Sequence, residues 1–292
     1  MPDLIPQPIV EWLEQQSLTL NAIDMLSGGC VADTCKLSLQ SSKGARLELV
    51  LKQMPMGSSE SLAAEAAGLQ FLRLSEAGAL RIPEVILQEG NSLLLEYISP
   101  TARSVDFDDQ LAVGLALQHS HQNTHFGFSL NTFCGGTCQL NQWQGDGFCF
   151  YAQQRYQALA HQCLEQSLIT PVLYDRLLIL SESLSRWLPQ QSAVLLHGDL
   201  WSGNVLSGPR GEPALIDPSV YYGWAEAELA MTQMFGGFSQ RFYQVYLHHS
   251  EMLPDWRSRV DLYNLYHYLN HLLLFGGAYH RDVERIVQYY SG

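Results

Sequence analysis

The strongest chemical signal in the sequence is a polar loop in which Asp199 and Asn204 stand five positions apart. A second carboxylate, Asp217, follows Asn204 by thirteen residues, directly after the apolar run 214–216. Carboxylate and amide oxygens are the hard ligands that Mg²⁺ prefers, and a nearby aspartate can accept the proton of a hydroxyl group. The spacing predicts a phosphoryl-transfer site with Asp199 as base and with Asn204 and Asp217 holding Mg²⁺ on ATP. The alternative is that these side chains only cap turns, as Asp and Asn often do in glycine-rich loops.

Lys52 is the second residue whose position indicates chemistry. It is one of three lysines in the chain and directly follows the stretch 47–51, whose leucines and valine with one glutamate predict a strand. Protein kinases keep the lysine that pairs with the ATP phosphates at the end of such a strand. Glu65 follows thirteen residues later on a predicted helix, where it can hold the ammonium group toward the nucleotide, and Glu60 is the alternative partner. An ordinary surface lysine is the other interpretation.

A pair of glycines precedes the first predicted hairpin, in the stretch Gly28, Gly29 and Cys30. Adjacent glycines let a turn approach phosphate oxygens closely and present backbone N–H groups to them. The stretch matches neither the P-loop pattern nor a complete G-x-G-x-x-G, so by itself it is typical of a plain turn. Together with Lys52 it predicts a nucleotide-binding loop.

The elements that must position these residues fall into two parts. Hairpin patterns over residues 31–52 and 82–98, with a helix of about four turns from Ser59 between them, predict a small β-rich lobe. Residues 1–16 predict a short surface helix before it. Helical periodicity then dominates, over residues 111–121, 148–166, 172–187, 225–235, 238–248 and 260–275. The sequence thus predicts an α+β, bilobal fold with a nucleotide-binding lobe over residues 1–98 and an α-rich catalytic lobe over residues 99–292.

Composition excludes several classes of function. The 292 residues carry a formal net charge of −13, which repels nucleic acid and anionic membrane surfaces. The sequence has no run of about 18 apolar residues and no basic, apolar leader at its start. We therefore expect a cytoplasmic protein with reduced cysteines, no nucleic-acid partner and no membrane partner.

Two histidine pairs and one cysteine pair have spacings that could suit zinc ligands. His121 with His125, and His267 with His271, have the i, i+4 spacing of two ligands on one helix face, and Cys134 and Cys138 form a close pair. Neither histidine pair contains the H-E-x-x-H glutamate, and no second cysteine pair has zinc-ribbon spacing. The sequence therefore does not predict a zinc site.

Beyond these patterns, the chain resembles the fructosamine kinase (ketosamine 3-kinase) family. The resemblance rests first on the stretches His197 to Val205 and Ile216 to Gly223, and then on Glu228 to Met231 and Met234 to Phe238. Further matching segments stand in the same order along nearly the whole chain: Gly28 to Cys30, Phe126 to Phe128, Asn141 to Trp143, Arg155, and Tyr268 to His271. The pair Trp201 and Ser202 separates this family from the related aminoglycoside and choline kinases. One departure is Trp224, which follows Gly223 where the family usually has His or Asp.

The resemblance implies a protein-kinase-like fold and ATP- and Mg²⁺-dependent phosphorylation of the sugar 3-hydroxyl of fructosamine or ribulosamine adducts, a deglycation repair reaction. It implies that adenine binds the backbone of the linker Glu96, Tyr97 and Ile98. It also implies that Trp201 stacks on the sugar, with His271 or Tyr221 across the pocket; core packing is the alternative role of these side chains. The resemblance further implies that the substrate is a free ketoamine or a glycated protein; the oligomeric state stays open, with a monomer favoured.

Two other functions remain open on the sequence. A small-molecule kinase of the same fold would act on an aminoglycoside, choline or a pentose derivative. A pseudokinase would bind nucleotide without turnover, but such proteins usually lack at least one of the four residues Lys52, Asp199, Asn204 and Asp217, all of which are present.

Overall fold

The computed structural model describes residues 5–26, 32–55, 59–75 and 80–291, and these residues form two lobes. The N-terminal lobe contains an antiparallel sheet of five strands. These are β1 (Leu18–Met25), β2 (Asp33–Ser41), β3 (Arg46–Gln53), β4 (Val85–Glu89) and β5 (Ser92–Glu96), arranged in the order β1-β2-β3-β5-β4. Helix α1 (Gln7–Gln15) and helix α2 (Ser59–Ser75) belong to the same lobe. The predicted hairpins and the predicted helix from Ser59 are confirmed.

The sheet is covered on both faces, which explains why β5 reads as a continuous apolar run. Leu94 packs in one cluster with residues of α1, whereas Leu93 and Leu95 pack with residues of α2 on the opposite face. Successive side chains of a strand point to opposite faces, so a strand buried on both sides needs apolar residues at every position. The sheet therefore holds β3, with Lys52 near its end, between two packed layers.

The short surface helix predicted at the start of the chain is confirmed as α1, and one of its faces is docked on the sheet. Ile9 and Leu13, spaced i, i+4, are buried against Leu37, Leu39 and Leu51 of the sheet. An apolar stripe at this spacing is sufficient to dock even a short helix. Strand β1, which the sequence did not predict, adds the edge next to β2.

The C-terminal lobe is mostly helical, as predicted. Its helices are α3 (Phe107–His119), α4 (Gly147–Tyr151), α5 (Ala158–Glu165), α6 (Pro171–Glu182), α7 (Ala225–Met234), α8 (Gln240–His249), α9 (Val260–Phe275) and α10 (His280–Ser291). A π-helical turn, Ala152–Gln157, joins α4 to α5, and short 3₁₀ turns cover Leu184–Arg186, Ser202–Asn204, Trp256–Arg259 and Gly277–Tyr279. Helix α9 matches its predicted bounds, whereas α10 was not predicted.

Short strands of the C-terminal lobe hold the loops that carry the candidate residues. They are β6 (Gln122–Asn123), β7 (Thr132–Cys134), β8 (Thr137–Gln139), β9 (Ala193–Leu196), β10 (Val205–Ser207), β11 (Pro213–Leu215) and β12 (Tyr221–Gly223). Strand β9 lies between β12 and β6, β10 pairs with β11, and β7 pairs with β8. The proposed lobe boundary at residue 98 falls between β5 and α3. Across the described residues, every helix is too short or too polar to cross a membrane.

Candidate active site

One position in the loop after β9 accepts only glycine. Gly198 has φ +84°, and a Cβ atom there would lie 2.0 Å from the carbonyl oxygen of Ser219. The neighbouring backbone is fixed by a hydrogen bond of 2.8 Å from the Ser219 N–H to the His197 carbonyl. This close approach of two backbone segments sets the position from which Asp199 enters the cleft.

A buried glutamate on α7 anchors the same loop. Glu228 accepts hydrogen bonds from the backbone N–H groups of His197 (3.1 Å) and Gly198 (2.6 Å). Its side chain also contacts His119 Nε2 at 2.9 Å. Burial acts to raise the pKa of Glu228, but the hydrogen bond and charge of His119, together with the hydrogen bond from the Gly198 N–H, hold it below its ordinary value. In the sequence, Glu228 stood only as part of a family pattern and had no assigned role.

His197 connects this loop to the segment that carries Asp217. Its Nδ1 accepts from the Asp199 N–H at 3.3 Å, so Nε2 carries the proton and donates to the Ile216 carbonyl at 2.9 Å. Burial is the largest effect on the ring and lowers the pKa of His197. The imidazole is therefore a neutral spacer between the two loops.

Asp199 and Asn204 lie together, as their spacing predicted. Asn204 Nδ2 donates to the Asp199 carbonyl at 2.8 Å and to Asp199 Oδ2 at 3.3 Å. Burial, followed by the negative charge of Asp217, raises the pKa of Asp199 to about 7. A carboxylate with a raised pKa is a stronger proton acceptor, which suits a general base.

Lys52 joins the two lobes through two ion pairs. Its Nζ lies 2.6 Å from Glu65 Oε1 and 2.6 Å from Asp217 Oδ1. Burial acts to lower the pKa of Lys52, but the charges of Glu65 and Asp217 outweigh it and raise the pKa above its ordinary value. The structure thus selects Glu65 as the partner, while Glu60 is exposed. Asp217 has φ +56°, a conformation that residues other than glycine adopt rarely and mostly at functional sites.

The donor atoms around Asp217 fit a Mg²⁺ ion. The Ile216 N–H donates to the Asn204 carbonyl at 3.1 Å, which keeps the two side chains on adjacent backbone segments. Because the Asn204 amide nitrogen is held by Asp199, its oxygen is the atom that remains for a cation. One amide oxygen and one carboxylate are the oxygen ligands that Mg²⁺ takes alongside phosphate and water.

These residues line one cleft between the lobes. Lys52, Glu65, Asp199, Trp201, Asn204 and Asp217 all contribute to its wall. The structure therefore brings together the charged residues that the sequence singled out from both lobes.

An aromatic wall stands beside Asp199. The ring of Trp201 packs edge-on against Phe235 at 5.8 Å between centroids, and Phe235 lies 5.3 Å from His271. His271 in turn contacts Phe275 and Tyr279. Phe235 and Phe275 are about half exposed, so the wall presents apolar surface to solvent. The sequence named Trp201 and His271 but not the phenylalanine between them.

Tyr221 does not reach this cleft. Its side chain is 5% exposed, its ring stacks on Phe150, and the buried guanidinium of Arg155 lies 4.2 Å from its centroid. Alternate residues of β12 point to opposite sides, and Tyr221 points into the core. This burial favours core packing, the alternative role that the sequence left open, and contact of Tyr221 with the substrate stays a prediction.

The remaining nucleotide-binding candidates have structural partners or lie outside the described residues. The Glu96 N–H donates to the Glu84 carbonyl at 2.9 Å, and the Glu96 carboxylate pairs with Arg81 at 2.5 Å. Tyr97 lies under the ammonium group of Lys36, and Ile98 is buried. Contact of this linker with adenine stays a prediction. Gly28, Gly29 and Cys30 lie outside the described residues.

Two residues near Asp199 were not predicted to be part of the site. Cys134 at the end of β7 has its Sγ 3.8 Å from Asp199 Oδ1. His267 on α9 is buried, and its burial, together with the charges of His271 and Arg155, lowers the pKa of His267 to about 3. The sequence contained one signal for each residue, because Cys134 and His267 each belong to one of the close pairs considered as zinc ligands.

Comparison with known proteins identifies the family of this chain. The fructosamine kinase family model matches residues 5–291. The chain belongs to the fructosamine kinase family. It is 34% identical over 291 residues to a protein of Lactiplantibacillus plantarum assigned as a ketoamine kinase, covering 96% of this chain and 98% of that one. It is 30% identical over 298 residues to the chloroplastic protein-ribulosamine 3-kinase of Oryza sativa subsp. japonica, covering 97% and 83%.

Solved structures confirm the fold. A protein of Thermobifida fusca assigned as a fructosamine-3-kinase superimposes with a TM-score of 0.85 at 22% identity, over 97% of this chain and 98% of that one. The ADP-bound aminoglycoside phosphotransferase APH(2″)-Ib gives a TM-score of 0.62 at 17% identity, over 98% of each chain. The expected bilobal, protein-kinase-like fold is therefore confirmed. As a fructosamine kinase family member, the chain is an ATP-dependent phosphotransferase.

The departure from the family pattern at Trp224 concerns the core and not the cleft. The Trp224 ring stacks on Tyr151, with 4.4 Å between centroids and 4° between planes. Its indole N–H donates to the Gln191 carbonyl at 3.3 Å. Nearby, Glu226 accepts two hydrogen bonds of 2.7 Å from Arg259. In this fructosamine kinase, the segment after Gly223 therefore secures α7, the helix that carries Glu228.

Proposed function

We propose that this protein phosphorylates the sugar 3-hydroxyl of a ketoamine, a fructosamine or ribulosamine adduct of a lysine side chain, with ATP as the phosphoryl donor. The observation that carries the proposal is the meeting of Asp199, Asn204 and the Lys52–Asp217 ion pair in a cleft walled by Trp201. Family membership favours the ketoamine over other acceptors of the same fold.

Each polar group in the cleft has a chemical part in this reaction. Asp199 accepts the proton of the 3-hydroxyl while the hydroxyl oxygen attacks the γ-phosphorus, and ADP leaves. Lys52, held by Glu65, neutralises negative charge on the phosphates. Asn204 and Asp217 hold Mg²⁺, which when bound offsets the charge of the ATP phosphates. Because phosphoryl transfer depends mainly on positioning and electrostatics, the anchors Glu228 and His197 contribute by fixing the loop that carries Asp199.

The surroundings suit a cationic, sugar-bearing substrate. A ketoamine carries a protonated secondary amine, and the net charge of −13 attracts cations to the surface. Aromatic faces such as those of Trp201 and Phe235 bind both the apolar face of a sugar and a nearby cation. We place the sugar against Trp201 and the amine toward Phe235 and His271.

The test is ³¹P NMR of the purified protein with ATP, Mg²⁺ and either fructosyl-lysine or ribulosyl-lysine. We expect a new sugar-phosphate resonance whose proton coupling identifies the 3-position, and the two substrates are ranked by their rates. A parallel panel of an aminoglycoside, choline and a free pentose should give no comparable product. Rapid phosphorylation of a panel compound, with none of either ketoamine, would replace the proposal by the rival small-molecule kinase.

A further inference from the structure

Three side chains from three different elements meet beside the cleft. Cys134 ends β7, Asp199 stands on the loop after β9, and His267 lies on α9. One potential ligand atom of each, the Cys sulfur, a carboxylate oxygen and a ring nitrogen, lies within 4.8 Å of the other two. This group, called here the Cys–Asp–His cluster, combines the ligand types of protein zinc sites.

Within the cluster, one ring nitrogen of His267 lacks a hydrogen-bond partner among the described residues. Its side chain is 6% exposed, and its Nδ1 atom has no hydrogen-bond partner among the described residues. A buried polar atom without a partner costs about 1–3 kcal/mol, so a group that bonds to it stabilises the site. A neutral imidazole nitrogen can satisfy this requirement by binding a metal ion.

The geometry needs little adjustment for zinc. With Zn–S near 2.3 Å and Zn–N and Zn–O near 2.1 Å, tetrahedral ligand atoms lie roughly 3.4–3.6 Å apart. Cys134 Sγ and Asp199 Oδ1 are already 3.8 Å apart. The other two distances are no more than 4.8 Å, so side-chain movements of at most about 1.4 Å bring the three atoms to tetrahedral spacing, and the Asp199 side chain faces the open cleft.

We propose that Cys134, Asp199 and His267 form a Zn²⁺-binding site, and that Zn²⁺ bound there inhibits the enzyme by occupying its base. The thiol proton of Cys134 passes to solvent on binding, the imidazole and carboxylate contribute lone pairs, and water takes the fourth position from the cleft. The inhibitory part rests on the proposed function of Asp199; metal binding does not.

Ligand type separates this site from that of Mg²⁺. Asn204 and Asp217 offer only oxygen atoms, which suit Mg²⁺, whereas thiolate and imidazole select softer ions such as Zn²⁺. The sequence did not predict the cluster because its cysteine and histidine stand 133 positions apart, and each was paired with the wrong neighbour. The fold joins one member of each close pair to the catalytic loop.

Binding is tested first without any substrate, by titrating metal-free protein with Co²⁺ in the presence of excess Mg²⁺. We expect a thiolate-to-cobalt charge-transfer band and tetrahedral visible bands, both abolished by one equivalent of Zn²⁺. Cys134→Ala and His267→Gln should each lose the bands, while Cys138→Ser, which changes the exposed cysteine of the same hairpin, should keep them. Thermal unfolding checks that both variants are folded. A wild-type protein without the charge-transfer band, or bands that persist in a folded Cys134→Ala variant, would overturn the proposal.

Inhibition is tested next, with MgATP and a ketoamine at saturating concentration. Since losing a general base costs about 10²–10⁴-fold in rate, we expect saturating Zn²⁺ to lower turnover by about 10²-fold or more, reversibly on chelation. Cys134→Ala should keep most of its own Zn²⁺-free turnover when Zn²⁺ is added, whereas Cys138→Ser should be inhibited like wild type. Equal inhibition of Cys134→Ala would place the inhibitory ion elsewhere and refute this part. Absence of ketoamine turnover with intact cobalt bands would refute the proposed function and leave the metal site standing.

Discussion

The ammonium group of Lys52 lies 2.6 Å from the carboxylate of Asp217, although the two residues stand 165 positions apart and in different lobes. The same ammonium group lies 2.6 Å from Glu65 on α2. One cation therefore connects the N-terminal sheet, its helix and the segment that carries Asp217. In the proposed reaction, ATP phosphates compete with Asp217 for this cation while Glu65 holds it in place.

Glu65→Gln tests that holding role. We expect kcat/KM for ATP to fall about 10- to 10²-fold, because an uncharged amide holds the ammonium group more weakly. Steady-state kinetics with varied ATP measures the effect, and Glu60→Gln, on the exposed face of the same helix, is the matched control. If both variants behave like wild type, the ion pair has no part in nucleotide use.

Gly198→Ala tests the close approach of the loop that carries Asp199 to the backbone of Ser219. Gly44 has the same φ of +84°, and a Cβ atom added there would have no neighbour within 4 Å, so Gly44→Ala isolates the cost of the backbone conformation. We expect Gly44→Ala to lose about 1 kcal/mol of unfolding free energy and to keep its activity. Gly198→Ala should lose more, and its turnover should fall by at least about 10²-fold as Asp199 shifts. Chemical denaturation and turnover are measured on both, and equal effects would contradict the steric argument.

The lowered pKa of Glu228 predicts that the free energy of unfolding depends on pH. Its pKa in the folded protein lies below the unfolded value of about 4.3, so its contribution is complete above that value and is lost as the pH falls through the folded pKa. The difference in unfolding free energy between wild type and Glu228→Gln should therefore be constant near neutral pH and shrink below about pH 4.3.

Urea denaturation of both proteins across this pH range measures the difference. Glu182→Gln, at an exposed position of α6, is the control and should show no such trend. A difference between wild type and Glu228→Gln that does not change with pH would contradict the assigned anchoring role.

Trp201→Leu tests the aromatic wall. We expect KM for the ketoamine to rise about tenfold, since stacking on an aromatic face contributes about 1 kcal/mol or more, while KM for ATP stays unchanged. Tyr221→Phe, which removes only a buried hydroxyl, should leave KM for the ketoamine as it is. A larger effect of Tyr221→Phe than of Trp201→Leu would favour Tyr221 over Trp201 as the residue that contacts the substrate.

Much of this architecture follows from local sequence patterns. Strand β9 and helix α9 begin and end where their apolar patterns predicted, because both elements are buried along most of their length. The Lys52–Glu65 pair was predictable because a strand end and the following helix fix their separation. Strand β1 was missed because it lies at the sheet edge with alternating, weakly apolar residues and a bulge between Leu20 and Ala22. Helix α10 was missed although its buried residues have helical spacing; they are Val283, Ile286, Val287 and Tyr290.

The rest of the site depends on tertiary packing that no local pattern encodes. Glu228 stands thirty positions after Gly198, on helix α7, and accepts a hydrogen bond from its backbone N–H. Because every residue except proline has a backbone N–H, the type of residue at the donor position does not indicate such a contact. The burial of Tyr221 could not be predicted because a strand of three residues is too short to show which side is buried. Cys134 and His267 come close because α9 lies against the end of β7, where Asn270 Nδ2 donates to the Cys134 carbonyl at 3.1 Å.

The most direct test of the central claim is the turnover of Asp199→Asn, with ATP binding measured on the same preparation. The account predicts that ketoamine phosphorylation falls about 10²–10⁴-fold while the dissociation constant for MgATP changes little, because the base acts on the hydroxyl and not on the nucleotide. Asp175→Asn, at an exposed position of α6, should keep wild-type turnover. Near wild-type turnover of a folded Asp199→Asn protein would contradict the assignment of Asp199 as the catalytic base.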